Sequence, residues 1–230
     1  MIKKILPYYI KVEINIIKQR IIDIFNINRF RYASKKNTEI KYNGNIEIIQ
    51  EIKQSKTTFA KIKNFHIAIK KIEQIYINPN EIFSFWKTVG RPSKKNGYAE
   101  SRSIVNGKIT NTYGGGLCQM AGIIYYASLF ANLEIIERYN HSKDIYTNKT
   151  RFTPLGSDAT VVFGFKDLKI KNNLNIPIKF SFIIKENKLI VRINSDETIK
   201  RNKVKFTKNE AIENEVITTV NGEFKNKSSY

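Results

Sequence analysis

Apolar residues recur at helical spacing over residues 8–26, where Ile10, Ile14, Ile17, Ile21 and Phe25 are interleaved with Lys11, Lys18, Gln19 and Asp23. That period predicts an amphipathic helix, which either packs its stripe on the domain or lies on a membrane surface. Residues 27–58 lose the period and turn polar, with a turn expected at Asn43-Gly44; they read as a connector carrying one or two weak elements. A second helix is predicted over 59–76, with Ile62, Phe65, His66, Ile69 and Ile72 or Glu73 on one face and Asn78-Pro79-Asn80 as its stop.

Beyond residue 80 the pattern shortens. Ile82 to Trp86 reads as an aromatic strand, and Gly90 to Gly97 as a loop. Arg102–Thr110 reads as a hairpin turning on Asn106-Gly107, the pair that accommodates two positive φ angles. A glycine-rich loop over 111–118 precedes a helix over Gln119–Ala131, followed by strands over Leu133–Arg138 and Thr160–Ile170. Ile178, Phe180, Phe182 and Ile184 alternate with polar residues, giving a strand that pairs with Leu189–Ile193 across Lys185–Lys188. A polar tail follows residue 195, with a further hairpin signal at Asn221-Gly222. Strands and helices do not alternate regularly, so the fold class is α+β, a mixed and mainly antiparallel sheet with a few packed helices in one main domain. The expected divisions are an N-terminal helix and connector (1–58), the main domain (59–195) and the tail (196–230).

Composition adjusts this picture in three places. Lys and Arg total 40 against 20 Asp and Glu, a net charge of +20. The basic residues are scattered, so they suggest a general preference for anionic surfaces and no specific nucleic-acid site; overuse of Lys, Ile and Asn is the plainer source. One Cys and two distant His leave no paired ligand spacing for a structural metal, and no cofactor motif is present. The N-terminus lacks an unbroken apolar stretch and a small-residue cleavage site, and no run reaches membrane-spanning length. On sequence the chain is therefore expected to be cytoplasmic.

The chemistry concentrates in Tyr113-Gly114-Gly115-Gly116-Leu117-Cys118-Gln119. Glycines let the backbone approach a ligand, and a Cys at a helix start has its thiolate favoured by unpaired amides and the helix dipole. Amides of Gly114, Gly115 and Gly116, with the Gln119 side chain, would then serve an oxyanion. The competing reading is a small buried Cys in a tight bend. A thiol nucleophile needs a base. His141, in the polar run Arg138-Tyr139-Asn140-His141-Ser142-Lys143-Asp144, is preferred to His66. Asp144 and Asp158 are the candidates for the acid that orients it.

The segment Gly114–Gln119 resembles the signature of the VanW family. So do Asn64–Ile69, Pro79–Trp86, Val89-Gly90-Arg91-Pro92, Gly97-Tyr98, Glu137-Arg138, His141-Ser142, Asp144, Gly156–Thr160 and Asp167–Asn172, an ordered set over roughly residues 60–182. Asn80 stands where the family usually has Gly, and Asn tolerates the same left-handed turn. The resemblance implies cell-envelope association and a link to glycopeptide resistance. It also implies L,D-transpeptidase-like acyl transfer on a peptidoglycan stem peptide or precursor, with Cys118 as nucleophile and His141 as the family histidine. Asp158 would orient the imidazole, and Tyr98, Arg138, Ser142 and Asp144 would line the substrate site. The alternative is a non-catalytic wall-binding or accessory protein using Phe83, Phe85, Trp86 and Tyr98. The sequence sets no oligomeric state.

Overall fold

The most apolar helix of the chain is its centre. α4 (Leu117–Phe130) buries residues on every side, among them Met120, Ile123, Ile124, Tyr125 and Leu129, the pattern of a helix enclosed by other elements. It begins two residues before the periodicity predicts. Gly116, left-handed at φ 98°, turns the chain into the helix, and the Gln119 and Met120 amides close the first turn on its carbonyl. The structure, a computed structural model, describes residues 6–25, 31–35, 46–105, 108–143, 151 and 153–230.

Two layers enclose α4. On one side lies the antiparallel sheet β2 (Ile46–Glu51), β10 (Lys188–Asn194) and β9 (Lys179–Lys185), with β10 in the middle. Its alternation puts Ile46, Ile48, Phe180, Leu189, Val191 and Ile193 inward. The β9–β10 turn uses Glu186 and Asn187, both at positive φ, as a tight hairpin of this hand requires. The helix α2 (Thr58–Ile72) also packs on α4. A second antiparallel sheet, β4 (Ile82–Ser84), β8 (Lys169–Lys171) and β7 (Glu134–Glu137), carries Phe83 and Ile170 into the same core. The hairpin β5 (Glu100–Val105) and β6 (Lys108–Tyr113) leads into the glycine loop. A two-residue pair, β1 (Ser34–Lys35) with β3 (Ile75–Tyr76), edges the core. The fold is α+β with antiparallel strand pairs, as the patterning predicts. The turns at Asn43-Gly44 and Asn106-Gly107 lie outside the described residues.

Several expectations change in detail. The run Ile82–Trp86 is half strand and half helix: the Ser84 hydroxyl accepts from the Lys87 amide and caps α3 (Phe85–Val89). Most of Thr160–Ile170 is not a strand. Gly164 at φ 80° makes a turn closed by Val162 and Lys166, and the Asp167 carboxylate takes the Trp86 and Leu168 amides. Backbone donors that a ladder would use are thereby bound elsewhere.

The inward face of α2 is Phe65, Ala68 and Ile72 with Asn64 and Thr58, so His66 is exposed; at ~100° per residue it lies well round from that arc. The region expected as a connector contributes β2, which pairs along its length with β10. The polar tail forms a third antiparallel sheet, β11 (Val204–Lys208), β12 (Glu215–Val220) and β13 (Glu223–Ser229), with the Asn221-Gly222 hairpin at positive φ. Asn202 fastens this sheet to the core through the Phe130 carbonyl at the end of α4. The first helix, α1 (Tyr8–Phe25), buries Val12 and Asp23 and leaves its isoleucine stripe exposed. Among the described residues no helix is long and apolar enough to cross a membrane.

Candidate active site

The glycine loop is held by packing as much as by its turns. A Cβ on Gly115 would stand 2.2 Å from the Ser101 carbonyl oxygen, and one on Gly116 would stand 2.5 Å from Lys61 Cγ. Asn64, fully buried on α2, donates its side-chain amide to the Gly115 and Ala99 carbonyls at 3.0 and 2.9 Å and accepts from the Ala99 amide at 2.8 Å. Helix, hairpin and loop are thus locked together by one side chain. The amides of Gly114, Gly115, Leu117, Gln119 and Met120 already donate to backbone carbonyls. Among the described residues this leaves the amides of Gly116 and Cys118 as the loop donors not so engaged, a narrower set than the sequence suggests.

Cys118 is the second residue of α4, half-buried, two residues past the capping Gly116. Its sulfur lies 3.7 Å from the Thr160 hydroxyl, and 3.5 Å from both the carbonyl and the amide of Val161. Burial pushes the thiol up. The hydrogen bond and charge of His141 pull it down, helped by the Val161 amide and Thr160, and the net result is an acidified thiol. The helix dipole acts in the same direction.

His141 reaches this position because the chain leaving β7 runs beside residues 158–160. The Arg138 guanidinium donates to the Asp158 carbonyl at 2.8 Å, and the Thr160 amide donates to the Tyr139 carbonyl at 2.7 Å. The Asp158 carboxylate then takes both the His141 amide, at 2.8 Å, and the ring Nδ1, at 2.6 Å, on one oxygen. With Nδ1 committed, Nε2 is the nitrogen left for the thiol. Burial disfavours the imidazolium, but Asp158 and the Cys118 thiolate outweigh it and raise the ring to about 10. Asp158 falls to about 2: burial opposes ionisation, while His141, Arg138 and Tyr230 favour it more strongly. The thiol is thus shifted down and the imidazole up, each by the other, with Asp158 behind the ring.

Asp158 is braced in turn. Arg138, whose side chain is only 4% exposed, donates to its other oxygen at 3.1 Å and reaches Ser228 on β13 at 2.7 Å. The Tyr230 hydroxyl donates to that same oxygen, and accepts from the Gly156 amide at 2.9 Å. Asn140 donates to the Ser229 carbonyl. The third sheet thus supports the histidine loop.

Of the residues singled out on sequence, Cys118, His141, Asp158 and Arg138 come together, with Gly114, Gly115 and Gly116 shaping the approach. The Gln119 side-chain amide donates to the Glu51 carbonyl at 2.8 Å. Tyr98 is only 2% exposed, with its hydroxyl toward the Val89 carbonyl, so it packs the core and lines no surface. Phe83 and Phe85 are fully buried, and the Trp86 indole donates to the Lys166 carbonyl. Ser142 is exposed beside His141. His66 is on the solvent face of α2. Asp144 lies outside the described residues. Sequence reasoning passed over Asn64, Thr160 and Val161, although Asn64 and Thr160 stand inside the motifs quoted above. Ser228 and Tyr230 carried no signal in the sequence.

Among the described residues no group of three or more His, Cys, Asp or Glu side chains is arranged to hold a metal ion. A cleft of about 370 Å³ bordered by Tyr32, Lys35, Lys71 and Lys87 does not include the thiol or its partners.

Comparison with known proteins bears on the same residues. The family model described as "VanW like protein" matches residues 60–194, which include Cys118, His141 and Asp158. The chain is 31% identical over 137 residues to the Vancomycin B-type resistance protein VanW of Enterococcus faecalis, a match covering 60% of this chain and 50% of that protein. It is 35% identical over 115 residues to the Uncharacterized protein YoaR of Bacillus subtilis, covering 50% of this chain and 36% of that one. The chain thus spans half or less of the length of these curated relatives. No solved structure matches.

Proposed function

From the premise that the chain belongs to the family of VanW-like proteins, we propose that it is a cysteine acyltransferase acting on peptidoglycan stem peptides in the cell envelope. The observation that supports this reading is the grouping of Cys118, His141 and Asp158: a thiol at a helix start, acidified by the neighbouring imidazole, whose Nδ1 is held at 2.6 Å by a braced carboxylate. Nucleophile, base and orienting acid are the three roles such chemistry requires.

The Cys118 thiolate attacks the carbonyl carbon of a stem-peptide amide, and the C–S bond forms as the carbonyl electrons move to oxygen. The amides of Gly116 and Cys118 are the donors for that oxyanion. As the C–N bond breaks, the proton on His141 Nε2 passes to the departing amine. The acyl thioester is then attacked by an amine of a second stem. That amine gives its proton to His141, and the thiolate leaves. The new amide replaces the old one with no other reagent consumed; water in place of the second amine gives a peptidase.

A purely recognitional role has less support. It relied on aromatic contacts, and Phe83, Phe85 and Tyr98 are core residues.

The test is turnover of a synthetic stem peptide by the wild type and by Cys118→Ala, with mass spectrometry of the wild-type protein trapped early in the reaction. The expected outcome is an acyl adduct on Cys118 and no turnover by the variant. Full turnover by Cys118→Ala ends the proposal.

A further inference from the structure

Helix α1 has two opposed faces. Toward the domain, Val12 is buried against Gly164, where a Cβ would come within 3.0 Å of its Cγ1. Asp23 is buried too, paired with Lys87 at 2.9 Å and accepting from the Tyr32 hydroxyl at 3.1 Å. Glu13 pairs with Arg91, and Tyr8 stacks on Phe165 at 5.7 Å. These contacts fix which way the helix faces. On a wheel of ~100° per residue, Ile14, Ile17, Ile21, Ile24 and Phe25 fall within an arc of about 100° opposite Val12 and Asp23.

That arc is bare: Ile14 is 48% exposed, Ile17 55%, Ile21 49%, Ile24 53% and Phe25 84%. Single exposed apolar residues need no explanation, but a continuous row over three turns marks an interaction surface. Both acidic residues of the helix are tied down by Arg91 and Lys87, while Lys18 and Arg20 are exposed on either flank of the stripe. A second copy of this chain is a poor occupant, since each copy carries +20 and like-charged faces repel. An anionic surface complements both the stripe and the charge.

We infer that α1 seats the protein on the surface of an anionic phospholipid bilayer, with the isoleucine stripe at the acyl boundary and Lys11, Lys18 and Arg20 at the phosphates. The helix packs on the turn Val162–Lys166, which directly follows Thr160 and Val161, the contacts of the Cys118 sulfur. Seating the helix therefore holds the thiol site near the membrane surface. The inference rests on α1 alone and stands whether or not the site transfers acyl groups.

The test is co-sedimentation of the full chain with vesicles of phosphatidylglycerol and phosphatidylcholine in equal parts, and with vesicles of phosphatidylcholine alone. Binding is expected to the anionic vesicles, weakened by high salt, with little to the neutral ones. The double variant Ile17→Asp/Ile21→Asp is expected to lower the partition coefficient at least ~50-fold, and Lys18→Gln/Arg20→Gln about fivefold per charge removed. Circular dichroism melting confirms that each variant folds. The inference is overturned if the wild type ignores anionic vesicles, if the aspartate variant binds as well as the wild type, or if light scattering without lipid shows a dimer that the aspartate substitutions dissolve.

Discussion

Replacing His141 by Ala separates the thiol from the partner that acidifies it. In the folded protein burial raises the Cys118 thiol, and the imidazole is the strongest of the groups that bring it down. Without the ring, burial is opposed only by the Val161 amide, the Thr160 hydroxyl and the start of α4, so the thiol returns to its ordinary value of 9.0 or above. At pH 7 a thiol at that value is ~1% ionised, and the acidified wild-type thiol is ionised to a greater extent, so the reactive fraction falls, by ~100-fold at most. A second effect opposes this. A more basic thiolate is a better nucleophile, with a sensitivity of about 0.5 per unit, which returns up to about tenfold. Loss of ionisation wins, and the net decrease at pH 7 is roughly tenfold.

The assay is the rate of alkylation of Cys118 by iodoacetamide across pH. The thiol is the chain's only one, so every adduct reports on it. The wild type is expected to reach its plateau at low pH. His141→Ala is expected to start lower, climb through the region of an ordinary thiol and overtake the wild type at alkaline pH. The crossing distinguishes a change in acidity from a change in access, which would scale the whole profile by one factor. Superimposable profiles for the two proteins would refute the acidification of the thiol by His141.

Three further outcomes follow from the same contacts. Asp158, held at about 2 against an ordinary 3.8, is a depressed acid. Its contribution to stability is present above pH ~4 and is lost as pH falls toward 2, about 2 kcal/mol in all. Asp158→Asn should flatten this part of the acid denaturation curve followed by circular dichroism, and an unchanged acid limb would contradict the assignment. Tyr230→Phe removes one donor from Asp158 but leaves Arg138 at 3.1 Å; it should slow alkylation at pH 7 by less than His141→Ala does, and a larger effect would show that the hydroxyl does more than brace the acid. Asn64→Ala strips partners from the buried Gly115 and Ala99 carbonyls and the Ala99 amide; urea denaturation should register a loss of about 3 kcal/mol, with no loss if the loop is held by its glycines alone.

Periodicity located α4, the β9–β10 hairpin and the last hairpin because each signal is local: an apolar helix, a two-residue alternation, an Asn-Gly turn. It was less informative where a side chain diverts the backbone. Ser84 and Asp167 convert an apparent strand into a cap and a turn, and nothing in the apolar pattern records that. Apolar period also assigned a stripe without a direction. Ile14, Ile17 and Ile21 recur as core residues would, yet the domain takes the opposite face of α1, through one valine and a paired aspartate. The resemblance begins near residue 60, beyond β2, so that strand, a full partner of β10, reads as connector.

The site has the same division. The sulfur and its helix start were legible because glycines and a helix entry are adjacent in the chain. The imidazole and carboxylate are 23 and 40 residues further on (141 − 118 and 158 − 118), and sequence named both Asp144 and Asp158 as candidates, preferring Asp158 with no geometry behind the choice. What separates them is the pairing of the strand end at 138–141 with residues 158–160, which delivers both bonds of His141 to Asp158. The brace from Ser228 and Tyr230 is further still, 70 residues or more beyond Asp158, and lies outside the family match at 60–194. Conversely, the glycine triplet suggested more donors than it supplies. Three glycines bring several amides close together, but the turn that makes this possible engages those of Gly114, Gly115 and Leu117, and Asn64 takes carbonyls besides. Tight packing of the loop holds the helix start that carries the thiol, and the same packing leaves the amides of Gly116 and Cys118 as the loop donors not engaged with backbone carbonyls among the described residues. A loop built only to bind an oxyanion would have left more of its amides open, so the rigidity of this one favours precise placement of a single sulfur over breadth of recognition.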